Sequence, residues 1–396
     1  MRAEDLVADP NPLARHYRRF RVEERLLLTG HSHQAWPDRG MEGQRLAWED
    51  AADHLDRKWP RAFAKADEVR AGFARLLDDP LGQYALGAST HELVVRLLSS
   101  LPLARRPRIV TTSSEFHSLA RQLRRLEEEG VEVTRVPAHP IQDLAERLDR
   151  SLDASTSALV TSAVFFDSGL IAPDLSVVAA ACRREGAVLL VDAYHALNVV
   201  PFSVRALGLE DAFVVGGGYK YCQLGEGNCF LRFPSDCDLR PVVTGWFADF
   251  EGLEQEQAAS PLAYGAGCAR FAGATYDPTS HYRGAEVFAF FREEGLTPEL
   301  LRQVSRLQIG RLVERFDAAD LDRRVVDRDR SVPLERIAGF LVLRSPRARD
   351  VAARLAERGV FTDARGEALR LGPAPYLSDR QLRDAVSILA EVVREL

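Results

Sequence analysis

Residues 157–195 read "SALVTSAVFFDSGLIAPDLSVVAAACRREGAVLLVDAYH". The apolar run "SALVTSAVFF" gives way to a stretch with helical spacing, "LSVVAAACRREG", and then to a second apolar run, "AVLLVD". Strand, helix and strand in that order predict two parallel strands joined by a right-handed crossover. The same alternation recurs on both sides. "RIVTTSS" precedes "FHSLARQLRRLEEEG", "VEVTRVPAH" precedes "IQDLAERLDRSLD", and "AFVVGGG" comes after the quoted stretch. The expected fold class is therefore α/β, a mostly parallel central sheet between helices over residues 61–270, with ligands at the carboxyl edge of the strands. From 271 to 396 the pattern changes to long helices with a few strands, such as "LRQVSRLQIGRLVERFDAA", "GFLVLRS" and "DRQLRDAVSILAEVVREL". This is expected to be a smaller α/β C-terminal domain. Residues 1–60, with "RLLLTG" and the helix-like "MEGQRLAWEDAADHL", are expected to pack with it.

Bulk composition narrows the partners. The net charge of -6 is spread over mixed acidic and basic positions without a basic stripe, which argues against nucleic acid. Five cysteines, an odd number without a C-x-x-C pair, suggest neither a disulfide framework nor a zinc site, and no metal is expected. The start "MRAEDLVADP" lacks an apolar signal core and nowhere do 18 apolar residues run together, so no membrane is expected and the cytoplasm is the expected location.

One residue stands out in "AFVVGGGYKYCQLGEGN", residues 212–228. Lys220 is one of three lysines among 52 basic residues, in a chain that otherwise writes arginine. An amine can lose its proton and attack a carbonyl, whereas guanidinium stays charged, so a Schiff-base lysine is predicted. The bland alternative is a surface lysine, which the apolar run before it and the flanking tyrosines make less fitting. Asp192 ends "AVLLVD", where a carboxylate could hold a protonated pyridine nitrogen or simply cap the next helix. Lysine and aspartate together are what pyridoxal phosphate needs to act as an electron sink. In "ALGASTHELVVRLL", Ser89 and Thr90 stand at a turn before a helix, a place for the cofactor phosphate or an ordinary capped helix.

The ordered set Ser89-Thr90, Phe116, "DAYH" at 192–195, "YKY" at 219–221 with Gly225 and Gly227, and "TGWF" at 244–247 resembles the class V aminotransferase family of fold-type I pyridoxal-phosphate enzymes. Within that family the chain is most similar to kynureninases, from "GHSHQAWP" near the start to "LRLGPAPYLS" near the end. The resemblance implies that Lys220 carries the cofactor and moves the proton at Cα, with Asp192 on the pyridine nitrogen and His195 beside the cofactor oxygen or phosphate. It implies that Phe116 stacks on the ring, that Ser89, Thr90 and Tyr219 touch the phosphate, and that Tyr219 relays a proton. Arg370 would grip the substrate carboxylate, with His31 and Ser32 also at the substrate. Trp246 and Thr275 would reach the active site of a neighbouring subunit, which implies a homodimer with composite sites.

The reaction implied by the resemblance is hydrolysis of the Cβ–Cγ bond of a β-acyl-alanine, giving an acid and alanine. The alternatives are a class V aminotransferase or a Cβ lyase on a small amino acid, and, remotely, a non-catalytic cofactor-binding regulator. Where kynureninases have an asparagine and an arginine, "VFFDSG" places Phe165 and Asp167, so kynurenine is expected to be poorer than a related substrate. No cysteine comes after Cys268, which disfavours desulfuration through a persulfide on the C-terminal domain.

Overall fold

Apolar runs buried on both faces build the centre of the molecule. The structure is a computed structural model and describes residues 2–250, 252 and 261–396. Strand Thr156–Ser162 is buried at every position, as a strand covered by helices on both sides must be. It lies between parallel neighbours Arg108–Thr112 and Val188–Asp192, and Glu132–Val136 and Phe213–Gly217 extend the sheet in the same direction. The helices His117–Glu128, Leu144–Arg150 and Leu175–Glu185 make the crossovers.

Two strands of this sheet went unread in the sequence. Cys229–Phe233 runs antiparallel between Phe213–Gly217 and Gln83–Gly87, completing seven strands. Its sequence "CFLRF" returns directly from the lysine loop, so no intervening helix announced it. Register does the positioning. Ser162 is the partner of Asp192, and Asp192 of Val215, so adjacent strands end at one level. One edge of the sheet thereby gathers the residues at and just beyond the strand ends: Glu115–Phe116, Phe166, Asp192–His195 and Tyr219–Lys220.

Glycine is required in the lysine loop at two places. A Cβ on Gly217 would stand 2.5 Å from Cys229 Sγ and 2.6 Å from the Tyr194 hydroxyl, too close for either to remain. Gly225 has φ of +67°, which favours a residue without Cβ, and Trp36 lies against it. From helix Thr279–Glu293, Arg283 Nε donates to Leu224 O at 2.6 Å while its guanidinium lies 4.6 Å from the Trp36 ring centroid.

The chain's two ends meet beside this edge. Leu26–Leu27 pairs in parallel with Val360–Phe361. Gly30 N donates to Gly372 O and Gly372 N to Leu28 O, both at 2.7 Å. His31 and Arg370 thereby come to the same place although the chain between them spans the whole sheet. Ser378 opens the last helix, Asp379–Arg394, with a reciprocal capping box to Gln381. Among the described residues, no helix is long and apolar enough to cross a membrane.

Candidate active site

Strand ends deliver Thr90, Phe116, Asp192, His195, Tyr219 and Lys220 to the walls of one small cavity. Lys220 is 5% exposed, and Nζ lies 2.7 Å from His195 Nε2. Three rings surround the amine: Tyr194 at 4.7 Å, Phe116 at 5.4 Å and Tyr219 at 5.8 Å from their centroids. Removal from water disfavours the ammonium more than nearby Asp192 restores it, so the amine is pushed down to about 7. A surface lysine has no such setting.

Asp192 is partly open to the cavity, and Oδ1 accepts from Tyr194 N at 2.8 Å. Its carboxyl is pushed up, chiefly by burial, with that backbone bond and Lys220 opposing the shift. The carboxylate thus both turns the chain locally and faces the lysine. His195 is held well below the usual histidine range by burial and by Lys220, and is therefore neutral. Its Nδ1 is buried without a partner. Tyr219 stacks on His33 at 4.7 Å, and burial raises its phenol to about 12, so it keeps its proton.

Behind Asp192 sits a carboxyl that sequence reading passed over. Glu115 is 5% exposed; Ser162 Oγ donates to its Oε2 at 2.7 Å, and Thr112 Oγ1 to its Oε1 at 2.6 Å. Ser162 N adds a bond to Oε1 at 3.2 Å. Burial dominates, raising Glu115 to about 7 despite those bonds, and Asp192 pushes the same way. The signal was its place immediately before Phe116.

Arg370 borders the same space. It is 4% exposed, Nη1 donates to Phe166 O at 2.8 Å, and Nη2 holds the Asp363 carboxylate. Phe166 itself lines the Lys220 cavity. His31 is fully buried, 4.7 Å from the Phe340 ring centroid, and the Arg370 guanidinium is 5.8 Å from that ring. Asp363 was not singled out in the sequence, because its pairing with Arg370 depends on the turn joining strands Asp363–Arg365 and Ala368–Leu371.

Other residues expected at the site, and the two expected at a neighbouring subunit's site, do not line this cavity. Ser89 is exposed, and its hydroxyl accepts from Glu92 N at 3.3 Å as an ordinary N-cap, while Glu92 Oε2 accepts from Ala88 N at 3.2 Å. Ser32 Oγ bonds to its neighbour His33 at 3.1 Å. Thr275 is exposed and Trp246 is 44% exposed, stacked on Phe247 at 4.4 Å. Neither is on the walls around Lys220. Their neighbours Phe247, Ala274 and Tyr276 instead line a larger cavity of about 770 Å³, whose walls contain none of Lys220, Asp192 and His195. The reactive groups are in the small cavity. At the altered entrance, Phe165 is fully buried and Asp167 accepts from Ser114 Oγ at 2.7 Å.

Residues 84–275 match the family model described as Aminotransferase class-V. The uncharacterized aminotransferase YcbU of Bacillus subtilis (strain 168) is 22% identical over 334 residues, 84% of this chain and 85% of that protein. The mitochondrial cysteine desulfurase of Drosophila melanogaster is 28% identical over 163 residues, 41% of this chain and 34% of that protein. For the cysteine desulfurase IscS of Rickettsia bellii the match is 26% over 209 residues, 51% of this chain and 50% of that protein. The chain thus spans half or less of these two desulfurases. Among solved structures, the cysteine desulfurase from Thermococcus onnurineus NA1 has a TM-score of 0.81 at 17% identity, covering 100% of this chain and 99% of that one. The cystine C-S lyase C-DES, in complex with cysteine persulfide, has a TM-score of 0.79 at 15% identity, covering 93% and 98%. The α/β architecture with a mostly parallel central sheet is the fold they share.

Proposed function

Residues 84–275 make this chain a member of the class V aminotransferase family of pyridoxal-phosphate enzymes, and from that premise we propose that it is a Cβ lyase acting on a small, sulfur-bearing amino acid. The observation that carries the reading is the buried Lys220–His195 pair, beside Asp192 and within the field of Arg370. An amine poised near 7 can attack an aldehyde and later take a proton. The unpartnered His195 Nδ1 fits a cofactor oxygen. Phe116 borders both the Lys220 cavity and a second small cavity shared with Thr90 and Asp192, so it is the wall against which a flat ring would lie.

In this reading Lys220 holds the cofactor's aldehyde carbon, Asp192 its ring nitrogen, and Thr90 and Tyr219 its phosphate. The bound pyridine ring supplies an electron sink for the charge left at Cα. Arg370 orients the substrate carboxylate, and Lys220 receives the Cα proton. Tyr219, which keeps its own proton up to about pH 12, is the nearby donor to a departing group. With water, an S-substituted cysteine would give a thiol, or from cystine a persulfide, together with pyruvate and ammonia.

The preference for a lyase over the acyl-alanine hydrolase expected from the sequence rests on the relatives, which bear aminotransferase, desulfurase and C-S lyase names. A lyase rather than a desulfurase also fits the three buried cysteines, Cys237 and Cys268 being half-buried. Cys182, Cys222 and Cys229 are buried, and burial pushes their thiols up, so they are poor persulfide carriers. The second reading is an aminotransferase, favoured by the match to YcbU along most of both chains. A homodimer is part of the proposal, motivated by the exposed Trp246 and Thr275.

The deciding experiment combines borohydride fixation with product analysis on cystine. The expected results are a pyridoxyl group on the peptide containing Lys220 and the release of pyruvate with ammonia. Alanine plus an acid from an acyl-alanine would restore the hydrolase. Exchange between amino acids and 2-oxo acids would select the aminotransferase.

A further inference from the structure

Arg370 already has a carboxylate. Its Nη2 holds Asp363 Oδ2, its Nη1 donates to Phe166 O, and its buried Nε has no partner. Across the same Asp363 oxygen lies His31 Nε2, at 3.6 Å. His31 is wholly buried, and neither ring nitrogen makes a hydrogen bond. A buried imidazole with two idle nitrogens, one facing a carboxylate held by another cation, has the arrangement of an exchange partner.

The charges around it favour one empty state and one occupied state. Strand Asp363–Arg365 presents Asp363, with Arg365 Nε 3.6 Å from its other oxygen, and strand Ala368–Leu371 presents Arg370. Lys220 and His195 face the cluster from the sheet edge, each interacting with His31. With Arg370 and Asp363 paired, burial keeps His31 neutral at about 4. A second carboxylate arriving on Arg370 leaves two anions against one buried guanidinium, since Arg365, the other cation at Asp363, is mostly exposed to solvent. A proton on His31 offsets the surplus charge.

We infer that His31 and Asp363 are positioning residues for the substrate carboxylate. When that carboxylate docks on Arg370, His31 takes up one proton and Asp363 passes from Arg370 to His31, freeing the arginine fork. The inference rests on the reading of Arg370 as the carboxylate grip. No bond other than that of the proton is made or broken, and the proton comes from solvent.

Titration calorimetry of the holoenzyme with propionate, which has no amine to react at Lys220, tests this. Measured at pH 7 in two buffers of different ionisation enthalpy, wild type is expected to take up about one proton per propionate bound. His31→Asn should bind propionate without that uptake. Asp363→Asn, lacking the resident carboxylate, should bind about tenfold tighter and also without uptake. Wild-type binding with no proton uptake, uptake unchanged in His31→Asn, or weaker binding in Asp363→Asn overturns the exchange. Should Asp363→Asn fail to fold, His31→Asn decides alone. Arg370→Gln should weaken propionate about tenfold or more. If wild type does not bind propionate, or Arg370→Gln binds it equally well, the carboxylate grip is wrong and the exchange falls with it.

Discussion

Lys220 Nζ and His195 Nε2 stand 2.7 Å apart, both buried, with the imidazole neutral and the amine poised near 7. Burial disfavours a charge on either group. In the cofactor-free protein, the Lys220 amine should therefore become reactive far below the ordinary lysine range. Labelling with an amine-selective reagent, with mass spectrometry of the peptide containing Lys220, should reach half its maximum near pH 7. A midpoint close to 10.5 would mean that the amine is solvated.

Asp192→Asn should keep the cofactor attached but slow turnover on the order of 100-fold or more, the scale of removing one preorganised electrostatic partner. Absorbance reports attachment and product formation reports turnover. Near-normal rates would leave Asp192 only its bond to Tyr194 N.

Glu115→Gln should change how stability depends on pH. Below 4.5 the carboxyl is neutral in the folded and unfolded chain alike and costs nothing. Between 4.5 and 7 the fold retains a proton that the unfolded chain has lost, so the group's contribution makes stability fall as pH rises, and the deficit is constant above 7. A glutamine amide imitates the protonated acid, with its oxygen accepting from Thr112 and Ser162 N and its amide donating to the Ser162 hydroxyl. The variant should gain on the order of 3 kcal/mol over wild type at pH 8 and nothing at pH 4. Urea unfolding at the two pH values measures it, and equal differences at both would refute the account.

The proposed dimer makes its own prediction. A Lys220→Ala subunit mixed with a Trp246→Ala or Thr275→Ala subunit, each inactive alone, should restore one intact hybrid site per mixed dimer, about a quarter of wild-type activity after random mixing. Light scattering that finds a fully active monomer would end the composite-site reading.

The sequence showed the lysine half of the site more clearly than the arginine half. Asp192 ends one short apolar strand and Lys220 lies three residues beyond another, and a parallel sheet turns such local order into proximity, so strand pattern and the rarity of lysine pointed to both. Glu115 was hidden because one glutamate among 58 acidic residues does not advertise burial, which here comes from Ser162 on a neighbouring strand. Asp363 and His31 meet only through pairing between distant segments, which no local pattern encodes. Strand Cys229–Phe233 was missed because its antiparallel return has no helix before it. Trp246 and Thr275, expected at a neighbouring subunit's site, are exposed and do not line the Lys220 cavity.

The ladder joining residues 26–30 to residues 360–372 also sets a timetable for biosynthesis. Lys220 and the sheet strand ending at Phe233 leave the ribosome while residue 372 is still to be made. At about 5–20 residues per second the interval from residue 220 to residue 372 is roughly 8–30 s. During that delay the N-terminal segment bearing His31 waits for the strand it must pair with. The lysine half of the pocket can close on a nascent chain, while the arginine half exists only once residues 360–372 have been made, so loading of the aldehyde can precede any capacity to hold an amino acid.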